Sequence, residues 1–176
     1  IDKMISTIGI KEKRYAHKSV TSSDLCFKAA DQLLIDNDID RESIDMVIFL
    51  SMTPDYIMPP TSSLLQHRLQ LPEDTACLDL SMACSGFVYS LSTAFAYASI
   101  PGVDRVLLLV GETMSKLVSP LDRVNFPLYG DAGTACLIEK GSFGKSYFKL
   151  AAGGYGEKEV LVPHGGFRNM ITAESL

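Results

Sequence analysis

The 176-residue chain is poor in positive charge, histidine and cysteine, and it has no long apolar run. Sixteen Lys and Arg stand against twenty-one Asp and Glu, a net charge of −5, which gives no electrostatic reason to bind nucleic acid or an anionic membrane. No stretch approaches the roughly 18 uninterrupted apolar residues of a membrane-spanning helix. The four cysteines, Cys26, Cys77, Cys84 and Cys136, are dispersed and form no CxxC pair. That spacing argues against a disulfide framework or a zinc site and for a reducing, cytoplasmic compartment. Neither the GxGxxG fingerprint nor the P-loop signature occurs, so the glycines imply no phosphate cradle. The opening Ile1-Asp2-Lys3-Met4 carries neither an initiator Met nor a signal peptide and reads as mid-chain sequence.

What is present is a soluble globular pattern, 47% hydrophobic and 21% charged, long enough for one domain with a substantial core. Residues 4–10 read as extended, with Gly9 breaking the run, and Lys11-Glu12-Lys13-Arg14 as a solvated charge cluster. Thr21 or Ser22 caps a helix whose apolar rows are Leu25, Ala29, Leu33 and Cys26, Ala30, Leu34. Ile44 to Leu50 reads as a strand buried on both faces. Pro54, Pro59 and Pro60 stiffen a loop and exclude helix from it. A helix capped by Thr61 or Ser62 follows, with Leu64, Leu65 and Leu69 inward and His67 on the surface. The apolar run Ala76 to Leu80 reads as a buried strand and Arg105 to Val110 as another. Tyr129 to Ala135 reads as a tight turn that lets backbones approach, feeding a strand from Ala135 to Glu139. A last strand is expected near Ser146 to Ala152, and the Gly-rich remainder, with His164, reads as loop. Apolar strands alternating with helices indicate an α/β fold with a largely buried mixed sheet.

One stretch stands out: Asp79-Leu80-Ser81-Met82-Ala83-Cys84-Ser85-Gly86-Phe87. A strand leads into it and a helical pattern leaves it, with Phe87, Leu91, Phe95 and Ala98 at i, i+4, i+8 and i+11. Almost no charge falls between Ser85 and Ile100, so this helix is expected to be central and covered all round. Cys84 sits where strand becomes helix, among small residues that let a substrate approach. A thiol there faces unpaired helix N–H groups and the positive end of the macrodipole, which favour the thiolate, the nucleophilic form. Cys26, Cys77 and Cys136 read as small core residues. Glu112, at the C-terminal end of a strand, occupies a place where α/β proteins put functional groups; a structural hydrogen-bonding role is the plainer reading.

These residues resemble a known family. The run from Leu78 to Phe87 is similar to the active-site segment of the beta-ketoacyl-acyl carrier protein synthase III enzymes. Thr53-Pro54-Asp55-Tyr56, Gly111-Glu112-Thr113, Asp122-Arg123 and Tyr129-Gly130-Asp131-Ala132-Gly133-Thr134-Ala135 resemble further family segments, in order and in spacing. The resemblance implies a thiolase-like fold, the N-terminal half of an αβαβα layered sandwich, with residues 1–176 as one partial domain. The family's first strand and its whole C-terminal half are expected to lie outside this sequence. It implies a homodimer through the 76–80 strand.

For chemistry, the resemblance implies that Cys84 takes an acyl group from acyl-CoA. The acyl-enzyme then condenses with malonyl-acyl carrier protein with loss of carbon dioxide, as in fatty acid biosynthesis. Arg123 matches an Arg that packs on the CoA adenine. Lys3 and Thr7 stand where relatives carry its aromatic and basic partners, and the chain has no Trp. Pro59 replaces a Phe that in several relatives reaches the neighbouring subunit's acyl pocket. No cofactor and no metal are implied, acyl-CoA being a substrate. The family's catalytic His and Asn belong to its second half, and His17, His67 and His164 match neither, so residues 1–176 alone are expected to be inactive in condensation. Two other readings keep the same residues. One is a thiolase-fold acyltransferase of the polyketide, quinolone or hydroxymethylglutaryl-CoA synthase type. The other is a non-catalytic dimerisation half, against which the retained Cys84 argues.

Overall fold

The computed structural model describes residues 6–142 and 144–173. It divides into two compact units, Ile1–Gly144 and Lys145–Leu176. The first unit carries the regular structure: α1 (Ser22–Asp36), β1 (Met46–Leu50), α2 (Thr61–Arg68), β2 (Ala76–Leu80), α3 (Gly86–Ala98), β3 (Arg105–Thr113) and β4 (Asp131–Glu139). The strands form one mixed sheet in the order β2-β1-β3-β4. β1 runs parallel to β2 and to β3, and β4 is antiparallel to β3.

Strand alternation sorts the apolar residues onto two faces. Val47, Phe49, Leu107 and Leu109 pack with Cys26, Ala30 and Leu34 of α1 and with Leu65 and Leu69 of α2. Met46, Ile48, Val106 and Leu108 pack with Ala94 and Ala98 of α3. All five β1 residues are buried, as their continuous apolar run requires of a strand covered on both faces. Thr21 precedes α1, and its N–H donates to Asp24 Oδ2 at 2.9 Å, one half of a capping box.

Several expectations change. Residues 6–8 are helical, not extended; Met4 and Ile5 lie outside the described residues. Among the described residues β2 pairs with β1 alone and is partly exposed, an edge strand and not a fully buried one. α3 turns Gly86, Ser90, Ala94 and Ala98 to the sheet, while Phe87 is 46% and Phe95 37% exposed. The cause is close approach. A Cβ on Gly86 would come within 2.7 Å of the Leu50 side chain, so only the small-residue row lets the helix lie down on the sheet. The aromatic row faces outward, and the covering expected all round α3 is absent among the described residues. β4 begins at Asp131, so most of the expected turn at 129–135 is strand. Gly133 does mark a close backbone approach, since a Cβ there would lie 2.5 Å from Cys26 N. In the second unit residues 146–152 form no strand; strand conformation is held by a ladder partner, and the described residues supply none. Residues 157–173 are exposed and irregular, His164 among them.

Asp131 ties the start of β4 to its surroundings. Burial opposes its charge. Hydrogen bonds from Ser115 Oγ at 2.5 Å, Ser115 N–H at 2.9 Å and Ala16 N–H at 2.8 Å, with the Lys116 charge, nevertheless hold its carboxyl below the usual range. A carboxyl depressed by folding stabilises the fold above its unfolded pKa and loses that contribution as pH falls through the folded one. Asp131→Asn is therefore expected to lower stability at neutral pH and to flatten the loss of stability below about pH 5, read by urea unfolding across pH.

Candidate active site

The parallel pairing brings three strand ends to one edge. Leu50 lies in register with both Leu80 and Val110, so the chain leaving β1, β2 and β3 emerges together, at the edge where open α/β sheets carry their sites. Cys84 is on the β2 exit. It lies in a 3-10 turn, Ala83–Ser85, one turn ahead of α3, and it is exposed. The helix expected to start at Cys84 thus starts at Gly86. Ala83 has φ +44°, a left-handed conformation rare for a residue with a side chain and costing on the order of 1–2 kcal/mol. Ser85 Oγ donates to Met82 O at 3.2 Å and Gly86 N–H donates to Ala83 O, closing the turn.

The β1 exit is the proline loop. Pro60 stands at the N-cap of α2 and offers no side-chain acceptor, and neither Thr61 nor Ser62 caps the helix as expected. Instead the N–H groups of Thr61 and Ser62 donate to Asp79 Oδ2 and Oδ1 at 2.7 and 2.8 Å. A carboxylate on the strand that leads to Cys84 therefore occupies the positive end of a neighbouring helix. The near end of the loop is held from β3. Glu112 Oε1 accepts Met52 N–H at 2.7 Å, and Oε2 accepts the Thr53 hydroxyl at 2.8 Å. Ser23 Oγ donates to Asp55 Oδ2 at 2.6 Å, and Arg68 reaches both Ser23 Oγ and Asp24. Between the anchors Tyr56, Ile57 and Met58 stand exposed, with Pro59 beside them.

The β3 exit carries Arg123, exposed on the loop between β3 and β4. Its turn is built on Asp122, whose carboxylate accepts Val124 N–H and Asn125 N–H, each at 2.9 Å, and the Asn125 amide at 2.8 Å. The Asn125 N–H and amide, with Val124 N–H, hold the Asp122 carboxyl below its ordinary range. Phe126 of the same loop stacks on Tyr15 at 5.4 Å, and Lys13 lies over both rings. Thr7 falls in the helical residues 6–8, and Lys3 lies outside the described residues. His67 is exposed on α2, as read from the sequence.

The other thiols differ from Cys84 in access. Cys26 is fully buried and its thiol is pushed up to about 12, chiefly by burial. Burial also raises the half-buried Cys77, and Cys136 is half-buried on β4. A cavity of about 480 Å³, lined by Leu33, Ile39, Arg105 and Glu139 among others, lies at the opposite end of the strands and is lined by no cysteine. Among the described residues no three His, Cys, Asp or Glu side chains are grouped to hold a metal, and no helix is long and apolar enough to cross a membrane.

An exposed cysteine at a strained turn between a parallel strand and a helix is the arrangement to set beside known proteins. The sequence profile of 3-oxoacyl-[acyl-carrier-protein] synthase III matches residues 78–156, a span that includes Cys84. The chain is 35% identical over 176 residues to a beta-ketoacyl-[acyl-carrier-protein] synthase III of Desulfitobacterium hafniense, covering 98% of this chain and 53% of that protein. A crystal structure of a 3-oxoacyl-(acyl-carrier-protein) synthase III superposes with a TM-score of 0.94 at 33% identity, over 99% of this chain and 52% of the other. A 3-oxoacyl-(acyl-carrier protein) synthase from Burkholderia xenovorans superposes with a TM-score of 0.87 at 35% identity, over 96% and 49%. The chain fits the synthase III family. Its mixed sheet between helices is the thiolase-type fold of those neighbours, and it spans about half the length of the curated relatives it matches. The matched spans in these comparisons include the turn that carries Cys84.

Iodoacetamide at neutral pH is expected to label Cys84 ahead of Cys26, Cys77 and Cys136, because Cys84 alone is exposed. Peptide mapping of a time course checks this, and labelling of Cys26 or Cys77 first would contradict it.

Proposed function

We propose that the protein to which this chain belongs is a condensing acyltransferase of the synthase III type, working in fatty acid biosynthesis. The observation that carries the reading is the exposed Cys84 on its strained turn at the shared C-terminal edge of β1, β2 and β3, within the segment that matches the synthase III profile. The Cys84 thiolate attacks the thioester carbonyl of acyl-CoA. The C–S bond to CoA breaks, and the CoA thiolate leaves and takes up a proton. Malonyl-acyl carrier protein then loses carbon dioxide, its carbanion attacks the acyl-enzyme carbonyl, and the Cys84 thiolate departs, giving a 3-oxoacyl-acyl carrier protein. The Cys84 N–H supplies one donor to the oxyanion of each tetrahedral intermediate. Arg123, planar and exposed, is the residue assigned to the CoA adenine, which a guanidinium can stack on. Four free cysteines suit a reducing, cytoplasmic setting.

The test is acyl transfer itself. Acetyl-CoA is expected to leave one acetyl group on the protein, located on Cys84 by peptide mass spectrometry and absent in Cys84→Ala. An adduct that survives in Cys84→Ala would remove the assignment. Arg123→Ala is expected to weaken CoA binding while leaving iodoacetamide labelling of Cys84 unchanged.

We also propose a homodimer through β2. Its outer edge has no ladder partner among the described residues, and an unpaired edge is a template for a second strand. Sedimentation equilibrium is expected to show a dimer. A monomer throughout the micromolar range would count against β2 pairing.

A further inference from the structure

Glu112 spends its whole carboxylate on one short piece of chain. Oε1 accepts Met52 N–H at 2.7 Å, while Oε2 accepts the Thr53 hydroxyl at 2.8 Å and lies 3.3 Å from Ser51 Oγ. Thr113, the next residue of β3, closes the arrangement by donating its N–H to Thr53 Oγ1 at 2.9 Å. The held piece follows Leu50 directly. Leu50 is the seat of α3, since the backbone of Gly86 rests on its side chain, and Ser51 N–H donates to Leu80 O at 3.1 Å, tying the same piece to the end of β2. Cys84 lies between these two attachments, after Leu80 and before Gly86. A path of direct contacts thus runs from Glu112 through Ser51–Thr53 to both ends of the segment bearing the thiol.

We propose that Glu112 is a positioning residue for Cys84. The φ of +44° at Ala83 is held only while its flanks are held, because a strained turn relaxes when its supports do. Without the Glu112 carboxylate, Met52 and Thr53 lose their acceptor, Leu50 and the Ser51–Leu80 bond loosen, and the turn relaxes. The thiol then loses its fixed place between the end of β2 and the start of α3. Asp79 does a different task, fixing the far end of the proline loop. Glu112 touches no substrate in this account and acts through the backbone it holds.

The test compares second-order rates of Cys84 alkylation by iodoacetamide with thermal unfolding midpoints, in the chain as it stands. Glu112→Ala is expected to slow Cys84 alkylation at least fivefold. Glu112→Gln, which keeps an acceptor for Met52 N–H and a polar partner for Thr53, is expected to stay within threefold of the wild type. Asp45→Ala is the control: Asp45 Oδ2 likewise accepts two backbone N–H groups, of Asp104 and Arg105, but at the other end of β3. It is expected to lower the midpoint and leave the Cys84 rate unchanged. If Glu112→Ala does not fold, Thr53→Val removes one arm of the hold and is expected to slow the reaction two- to fivefold. An unchanged or faster Cys84 in Glu112→Ala or Thr53→Val overturns the proposal. So does a Gln variant as slow as Ala, or an Asp45 variant that slows Cys84 as much as Glu112→Ala. The inference rests on Cys84 as the reactive thiol, yet alkylation needs no acyl-CoA. Its failure leaves the condensing reading standing, and a failure of acetyl transfer leaves this test intact.

Discussion

Everything in the first unit depends on β1 being covered on both faces. Met46 to Leu50 are all buried, and each large aliphatic or aromatic side chain removed from water contributes roughly 1.5–3 kcal/mol. That burial requires α1 and α2 on one side and α3 on the other, with β2 and β3 as ladder partners. Once those neighbours are in place, the parallel register lines up Leu50, Leu80 and Val110, and the three chain exits share one edge. The site is a consequence of the core, because a parallel sheet has only one end at which all its strands finish.

At that edge the protein meets a problem common to strand ends: backbone donors and small hydroxyls under cover need partners. Two carboxylates answer it. Asp79 takes the first N–H groups of α2, where Pro60 offers no side-chain cap, and Glu112 takes Met52 and Thr53. The proline loop is stretched between them and bears its apolar residues outward, while Cys84 stands on the adjacent exit. Charged acceptors make the stronger hydrogen bonds, so a loop that carries no regular structure of its own is fixed at both ends. Of the four thiols Cys84 alone is exposed, so the accessible one stands at this edge.

Much of this was legible in the residues. The continuous run before Leu50 announced a two-faced strand, the capping candidates Thr21 and Ser22 announced α1, and the shift from apolar run to small residues to helical spacing located Cys84 at a junction. Glu112 was legible as a hydrogen-bonding group at a strand end. The outward face of α3 was misread for a definite reason. The near absence of charge between Ser85 and Ile100 pointed to a helix covered all round, but the approach of Gly86 to Leu50 leaves room only for small side chains against the sheet, so Ala94 and Ala98 pack inward while Phe87 and Phe95 face outward. The 146–152 segment has strand-like composition, yet no described strand lies beside it.

The sequence by itself determined the α/β alternation, the buried character of β1 and the strand-to-helix setting of Cys84, since each is written in neighbouring residues whose spacing the backbone geometry reads directly. Only the tertiary structure decided that β2 is an edge, that Asp79 rather than a threonine or serine serves α2, and that Glu112 reaches Met52 across 60 residues of chain. Those pairings depend on which strands lie side by side and in what register. That follows from the summed burial of the whole sheet and from no single stretch of it.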